Sequence, residues 1–283
     1  MRYTEVDFLI APTDPWRELL MVELMEHGYE GFEETTHGLK AFLPTADFDR
    51  ALLDGLMVAR DPHVSVTHTV REVPDINWNA RWEREFQPVE VDGKVRIRAE
   101  FHPAMAGYEH EIIITPRMAF GTGHHATTRM MVRSMLELDL ADQRVCDLGC
   151  GTGVLAILAE RLGAAEVVAI DNDPTAVANA RENVEMNQCE RVTVEKGGTD
   201  LESGEEYGTI LANIERNTLV KAMPNLVGAM AEGGSLLLSG YVRADEQVMA
   251  KAARNAGLRN VQNLEEGDWA CSRWEKHTTP QAA

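Results

Sequence analysis

No apolar run in the 283 residues approaches the roughly 18 needed to span a bilayer as a helix. Cysteine is scarce: Cys146, Cys150, Cys189 and Cys271 make no Cys-x-x-Cys pair, so their spacing argues against a disulfide scaffold and a cysteine zinc site. All four read as small, buried, reduced residues. Residues 1–10 carry acids inside their apolar stretch, unlike a signal peptide, and a cytoplasmic protein is expected. Basic residues are also few, 27 against 46 acidic, for a net charge of −19. A surface that negative repels phosphate backbones and argues against a direct nucleic-acid partner; it suits a basic one. Apolar residues at 44% and charged residues at 26% are ordinary for a globular chain and argue against disorder or a coiled-coil rod. The length allows about two domains.

Charge is concentrated near the start. Residues 1–75 hold 15 acidic and 6 basic residues, a net of −9, almost half the total in about a quarter of the chain. Val6, Phe8 and Ile10 alternate as in a half-buried strand. Asp14-Pro15 reads as a capped helix start, Trp16, Leu19, Leu20 and Leu24 recur at helical spacing, and Gly28 is the stop. Tyr29 to Thr35 and Leu39 to Leu43 read as strands joined through His37-Gly38, Asp47 to Met57 as a second helix and Val64 to Val70 as a last strand. Strand, helix, strand, strand, helix, strand is the ferredoxin-like order, here over residues 1–73. A linker follows over 74–90. Trp78, Trp82 and Phe86, four apart, give its short helix an aromatic face suited to packing against a neighbouring domain.

Beyond it, Asp92-Gly93 marks a hairpin between Val89–Val91 and Val95–Arg98, and Glu111 to Thr115 reads as a strand ended by Pro116. Strands and helices then alternate: strands at 144–148, 167–171, 192–196, 209–213 and 235–241, with helices at 154–162, 175–186, 219–230 and 245–256. Two short strands close the chain near Val261 and Ala270. Alternation of this kind predicts an α/β, doubly wound, Rossmann-like domain over 91–278, with its ligand at the carboxyl ends of the strands.

The sharpest motif sits at such an end. Asp147-Leu148-Gly149-Cys150-Gly151-Thr152-Gly153 lies between a strand and a helix. The dinucleotide fingerprint places its last glycine one residue further on, where this chain has Val154, and it offers helix-start donors to a pyrophosphate. The early acid Asp147 suits a ligand bearing an ammonium group instead, as S-adenosylmethionine does. Asp171 ends the next strand, where an acid accepts ribose hydroxyls. Asp173-Pro174 opens the following helix, with Asp173 its cap. Thr199-Asp200 follows the third strand, either as an adenine contact or as a plain loop turn. Asn213 ends the next strand in Leu211-Ala212-Asn213-Ile214-Glu215 and can present an acceptor oxygen beside a methyl donor.

Gly149 to Gly153, Asp171 and Asn213 are the pattern of class I methyltransferases. The block Ala119-Phe120-Gly121-Thr122-Gly123-His124-His125-Ala126-Thr127-Thr128, with Asn77-Trp78-Asn79, Trp82 and Ser239-Gly240, narrows the resemblance. Over nearly its whole length the chain resembles the bacterial methyltransferases of large-subunit ribosomal protein L11. The resemblance implies a seven-stranded class I methyltransferase domain that uses S-adenosylmethionine to methylate lysine side chains and the N-terminal amine of L11. It implies that the small domain binds this substrate and that the linker re-aims it. Phe120, Thr128, Asp147, Gly149, Gly151, Gly153, Asp171, Asp200 and Asn213 are the cofactor-binding residues expected. The chain departs from many members at His124 and Ala126, where they have threonine and proline, and at Ile214-Glu215.

Asn213 is the expected catalytic residue, orienting the amine. A free lysine has a pKa of about 10.4, so the neutral nucleophile is disfavoured roughly a thousandfold at neutral pH, about 4 kcal/mol. The site must lower that cost and hold the reacting atoms in line. His125 and Glu215 are candidate bases, each with an ordinary capping or loop reading beside it. No metal is expected, because His124-His125 has no further ligand set near it in sequence. A monomer with no membrane partner is the working expectation. The alternatives are a lysine methyltransferase for a different basic protein and a nicotinamide-dependent oxidoreductase. Val154 and Asp147 argue against the second. Adenine methylation is disfavoured by Ile214-Glu215-Arg216, which supplies neither the proline nor the ring that stacks a flipped base.

Overall fold

The computed structural model describes residues 2–53, 55–73, 86–115, 121–201 and 206–277. The expected linker helix, with Trp78 and Trp82, lies outside them, as does Phe120. The chain forms two compact units that divide after Glu85.

The first unit is built on β1 (Tyr3–Ala11), α1 (Trp16–Glu26), β2 (Gly31–Thr35), β3 (Gly38–Pro44), the short helices α2 (Arg50–Leu53) and α3 (Met57–Arg60), and β4 (Ser65–Val73). Its sheet runs β2-β3-β1-β4, antiparallel throughout, which is the ferredoxin-like order. Alternation decides the core: Val6, Phe8 and Ile10 of β1 pack with Leu39, Ala41 and Leu43 of β3 under Leu20 and Leu24 of α1.

Three local expectations fail here. Asp14 does not cap α1: the capping position is Pro15, no side chain bonds the free amides, and the Asp14 carboxylate lies 3.7 Å from Arg17. Leu19 is half exposed, because the buried stripe of α1 is Leu20, Glu23 and Leu24. The helix expected over 47–57 is broken into α2 and α3. Glu23, buried on α1, accepts the backbone N–H groups of Met57 (2.5 Å) and Val58 (3.1 Å) at the start of α3. A buried carboxylate requires donors, and the break at Gly55-Leu56 presents them.

The second unit opens with a small sheet of β5 (Val89–Val91), β6 (Val95–Ala99) and β7 (His110–Ile114). Asp92 and Gly93 both have positive φ and turn the chain so that Val91 pairs with Val95. After α4 (Ala126–Met135), a helix the sequence analysis did not mark, come β8 (Arg144–Leu148), α5 (Val154–Arg161), β9 (Glu166–Asp171), α6 (Pro174–Met186), β10 (Val192–Lys196) and β11 (Tyr207–Asn213). They are followed by α7 (Arg216–Ala229), β12 (Met230–Val242), α8 (Glu246–Asn255), β13 (Leu258–Glu266) and β14 (Trp269–Lys276).

The large sheet runs β10-β9-β8-β11-β12-β14-β13. The first five strands are parallel; β14 runs against β12 and pairs with β13 as a long hairpin rather than the two short strands expected. Successive residues serve opposite faces. Val145, Leu211 and Leu237 join one core with α4, α5 and α6, while Cys146, Ile210, Ala212, Leu236 and Leu238 join the other with α7 and α8. Strand order reverses between β8 and β11, and there the sheet opens a cleft. Among the described residues no helix is long and apolar enough to cross a membrane.

The edge of β7 is completed by side chains. Asn187 of the α6 end accepts the Ile113 N–H (2.9 Å) and donates to the Ile113 carbonyl (2.6 Å). Asn183 accepts the Thr115 N–H (2.7 Å), and Asn179 donates to the Thr115 carbonyl (3.1 Å). Asn183 also donates to the Thr152 carbonyl inside the glycine turn (2.8 Å). Three asparagines four residues apart thus stand where a further strand would. Asn183→Ala strands the part-buried Thr115 N–H and the buried Thr152 carbonyl together, so it should lower unfolding stability by about 1–3 kcal/mol, read as a reduced urea midpoint.

Candidate active site

The cleft lies at the carboxyl ends of β8, β9, β11 and β12 and encloses about 510 Å³, within the range of small-molecule sites. Its floor is backbone. Gly149 has φ +72°, and a Cβ there would fall 2.1 Å from the Ile214 Cγ2. Gly240, with φ +90°, would bring a Cβ within 2.3 Å of the Ile214 carbonyl oxygen. Only glycine fits at either strand end, so neither narrows the cleft with a side chain. Gly153 is the capping position of α5 and packs on Ala180.

Asp171 stands at one side of the cleft. Its Oδ2 accepts the Gly151 N–H (2.9 Å) and its Oδ1 the Asp173 N–H (3.0 Å), tying the glycine turn to the tip of β9. A carboxylate has about four acceptor positions, so both oxygens keep capacity for ligand hydroxyls. Asp173 caps α6 through the Thr175 N–H (2.8 Å). Thr199 reaches the cleft; Asp200 does not line it, and instead faces Asn225 on α7 (3.4 Å).

Asp147 is also not in the wall. It is buried beneath the turn, where its Oδ2 accepts the Ala156 N–H of α5 (3.0 Å). Its Oδ1 has no hydrogen-bond partner among the described residues. Burial, opposed by the Ala156 bond and assisted by the charge of Asp171, pushes its pKa up to about 7.

Asn213 ends β11 in the cleft, with its Nδ2 3.5 Å from the Oγ1 of buried Thr128 in the first turn of α4. Thr128, Gly149, Gly151 and Asn213 share a small recess beside the main cleft. Glu215 caps α7: its carboxylate accepts the Thr218 N–H and hydroxyl, both at 3.2 Å. Backbone amides, Asn217 first, hold its pKa below the usual range, which suits a cap and not a base. His125 lines the cleft and caps α4. Burial and then the charge of Arg129 lower its pKa, so the ring is neutral at neutral pH. His124 bonds through its two ring nitrogens to the Thr122 hydroxyl (3.1 Å) and the Gln87 carbonyl (2.9 Å). Among the described residues no three His, Cys, Asp or Glu side chains converge on a metal-sized point.

Sequence reasoning missed Trp269. The β13–β14 hairpin brings it to the cleft, edge-on to His125 with ring centroids 4.5 Å apart. Only its pairing opposite Val242, the last residue of β12, could have signalled this.

The residues present fit S-adenosylmethionine. A glycine turn that a Cβ would obstruct, an acid at the second strand tip and a buried carboxylate with an orphaned oxygen belong to a ligand carrying ribose hydroxyls and an ammonium group. Fold and site together define a class I S-adenosylmethionine-dependent methyltransferase. A crystal structure of the ribosomal protein L11 methylase from Lactobacillus delbrueckii subsp. bulgaricus shares the fold, with a TM-score of 0.62 and 24% identity over 68% of this chain and all of that one. The family model described as ribosomal protein L11 methyltransferase (PrmA) matches residues 17–277, and the chain belongs to that family. The chain is similar to the ribosomal protein L11 methyltransferase of Phocaeicola vulgatus, 36% identical over 97% of this chain and 99% of that one. It is similar also to that of Porphyromonas gingivalis, 38% identical over 91% and 90%.

Asp147 makes a prediction about the cofactor-free protein. An unfolded aspartate ionises near 3.9, whereas this one holds its proton to about 7. The folded state therefore binds the extra proton, and stability falls as pH rises between those values, with the loss complete above 7. Asp147→Asn should remove a penalty on the order of 4 kcal/mol at pH 8. Thermal unfolding without cofactor from pH 5 to 8 should show wild type falling relative to the variant; parallel curves would contradict the assignment.

Proposed function

We propose that this chain transfers methyl groups from S-adenosylmethionine to lysine side-chain amines and the N-terminal amine of ribosomal protein L11. The observation that carries this reading is a single cleft with the Gly149 turn and Asp171 on one side and Asn213 on the other. The substrate is taken from the family and its relatives, which bear that name over nearly their full length.

Bound S-adenosylmethionine supplies an electrophilic methyl group on a sulfonium. Asp171 would accept its ribose hydroxyls, the Gly149–Gly151 backbone would give it room, and Thr199 would stand on the adenine side. Asp147 acts from below the turn, its ionised form favoured by the ligand's ammonium group. Asn213 directs its Nδ2 toward Thr128 and so offers its Oδ1 to an amine N–H, which turns the nitrogen lone pair toward the methyl. The amine would have to arrive unprotonated and, on gaining the methyl group that the cofactor would supply from its sulfonium, would release its extra proton to water. Neutral His125 adds no repulsion to an approaching ammonium. Rate comes chiefly from alignment of the two atoms.

The small unit is the substrate-recognition domain of this reading, and residues 74–90 are the segment that re-aims it. Its support is charge and surface: the net of −9 over residues 1–75 suits a basic ribosomal protein, and α1 presents Leu19, Val22 and Met25 to solvent with Met57 exposed as well. The same charge argues against direct contact with nucleic acid. The protein works in the cytoplasm as a monomer.

Incubation with S-adenosylmethionine and L11 from the same organism, followed by intact mass measurement, tests the proposal. Wild type should add mass in whole-methyl steps, and Asp171→Ala should slow the gain at least roughly tenfold, the loss of one charge-assisted contact. No gain on L11 would contradict the substrate, and retained S-adenosylhomocysteine binding would then direct the search to another basic protein.

A further inference from the structure

One wall of the cleft is held by charges that the transfer itself does not use. Glu266, at the turn between β13 and β14, receives two arginines of α4. Its Oε1 accepts from Arg129 Nε (2.7 Å) and Nη2, and its Oε2 from Arg133 Nη1 (2.7 Å). Arg133 also donates to Asp92 in the first hairpin of the unit (3.1 Å). Arg129 Nη1 donates to the His124 carbonyl. One guanidinium thus fixes both the turn that delivers Trp269 and the loop that delivers His125. All four charged side chains are partly exposed, where ion pairs add little stability. What forked, shared geometry of this kind does secure is position.

What it positions is an aromatic corner. The Trp269 and His125 rings meet at 71°, with Asn213 and Gly240 in the same cleft and Asp171 and Thr199 on its other side. We propose that Trp269, with His125, is the acceptor-side recognition element of this enzyme. The indole takes the unbranched alkyl chain and charged head of the amine in each of its methylation states. This rests on the amine-methylation reading above. The chemistry supports a division of labour. Asn213 needs an N–H to hold the nitrogen, and each added methyl removes one. An indole face attracts a primary ammonium and a methylated one alike, and it tolerates the bulk of the methyls. Trp269 therefore keeps the partly methylated amine at the site for a further transfer, and Glu266 is its positioning residue.

The test is steady-state methylation of full-length L11 by the full chain, with product states counted by mass and S-adenosylhomocysteine affinity measured in parallel. Trp269→Ala should raise KM for L11 roughly tenfold and shift products toward fewer methyls per amine. Its S-adenosylhomocysteine affinity should stay at the wild-type value, which also reports a folded cofactor side. Trp269→Phe should restore most of the product distribution, and Glu266→Gln should move KM and product states in the same direction by a smaller factor. Wild-type turnover with Trp269→Ala matching it in KM and methyl count would overturn this inference alone. Failure of wild type to methylate L11 would remove the reading beneath it as well. A parallel loss of S-adenosylhomocysteine affinity in both Trp269 variants would place the residue on the cofactor side and overturn the assignment.

Discussion

Ile214 packs so closely against its neighbours that two strand ends must be glycine. A Cβ at Gly149 would overlap its side chain and one at Gly240 its carbonyl. The tips of β8 and β12 therefore close on Ile214, just past the end of β11, the first against its side chain and the second against its main chain. Everything in the cleft is arranged around that contact. Gly149 and Gly240 add no side chain to it; Asp171, tied to Gly151, stands on one side, and Asn213 with Trp269 on the other. The spacing of the two sides is thus set by close packing around Ile214, and interiors packed this closely yield little.

That packing is maintained by buried polar groups of two kinds. The asparagines of α6 satisfy backbone groups at the edge of β7 and the Thr152 carbonyl. They stabilise the turn from outside. Asp147 does the opposite from beneath. Its second oxygen has no partner and its proton is retained to about pH 7, so the cofactor-free site carries a destabilised group. Strain of this kind concentrates where a ligand completes the structure. The ammonium of S-adenosylmethionine is a group that would relieve it.

Much of this was legible in the sequence because it depends on local rules. Period-two alternation in β1, the Asp92-Gly93 hairpin, the Asp173-Pro174 cap and the strand-helix alternation after Arg144 each rest on residues within a few positions of one another. The acid-tipped second strand and the asparagine at the fourth parallel strand followed from topology once those elements were in place. The misses share a different cause. Asp14 looks like a cap, yet α1 starts at Trp16 after Pro15. The helix over 47–57 is broken by Glu23, more than thirty residues away. Asp147 reads as a cleft residue in the motif but points to α5. Asp200 turns to Asn225. Trp269 enters the site through strand pairing with β12, which no local pattern encodes.

In the arrangement proposed above, one cleft would hold the cofactor between Asp171 and Asn213, with its sulfur toward the acceptor side. A crystal structure with S-adenosylhomocysteine tests it most directly. Ribose hydroxyls should lie on the Asp171 carboxylate, the amino-acid portion along the Gly149 turn, and the sulfur facing Asn213 and the Trp269–His125 corner. Ribose bound away from Asp171, or sulfur turned away from Asn213, would contradict it.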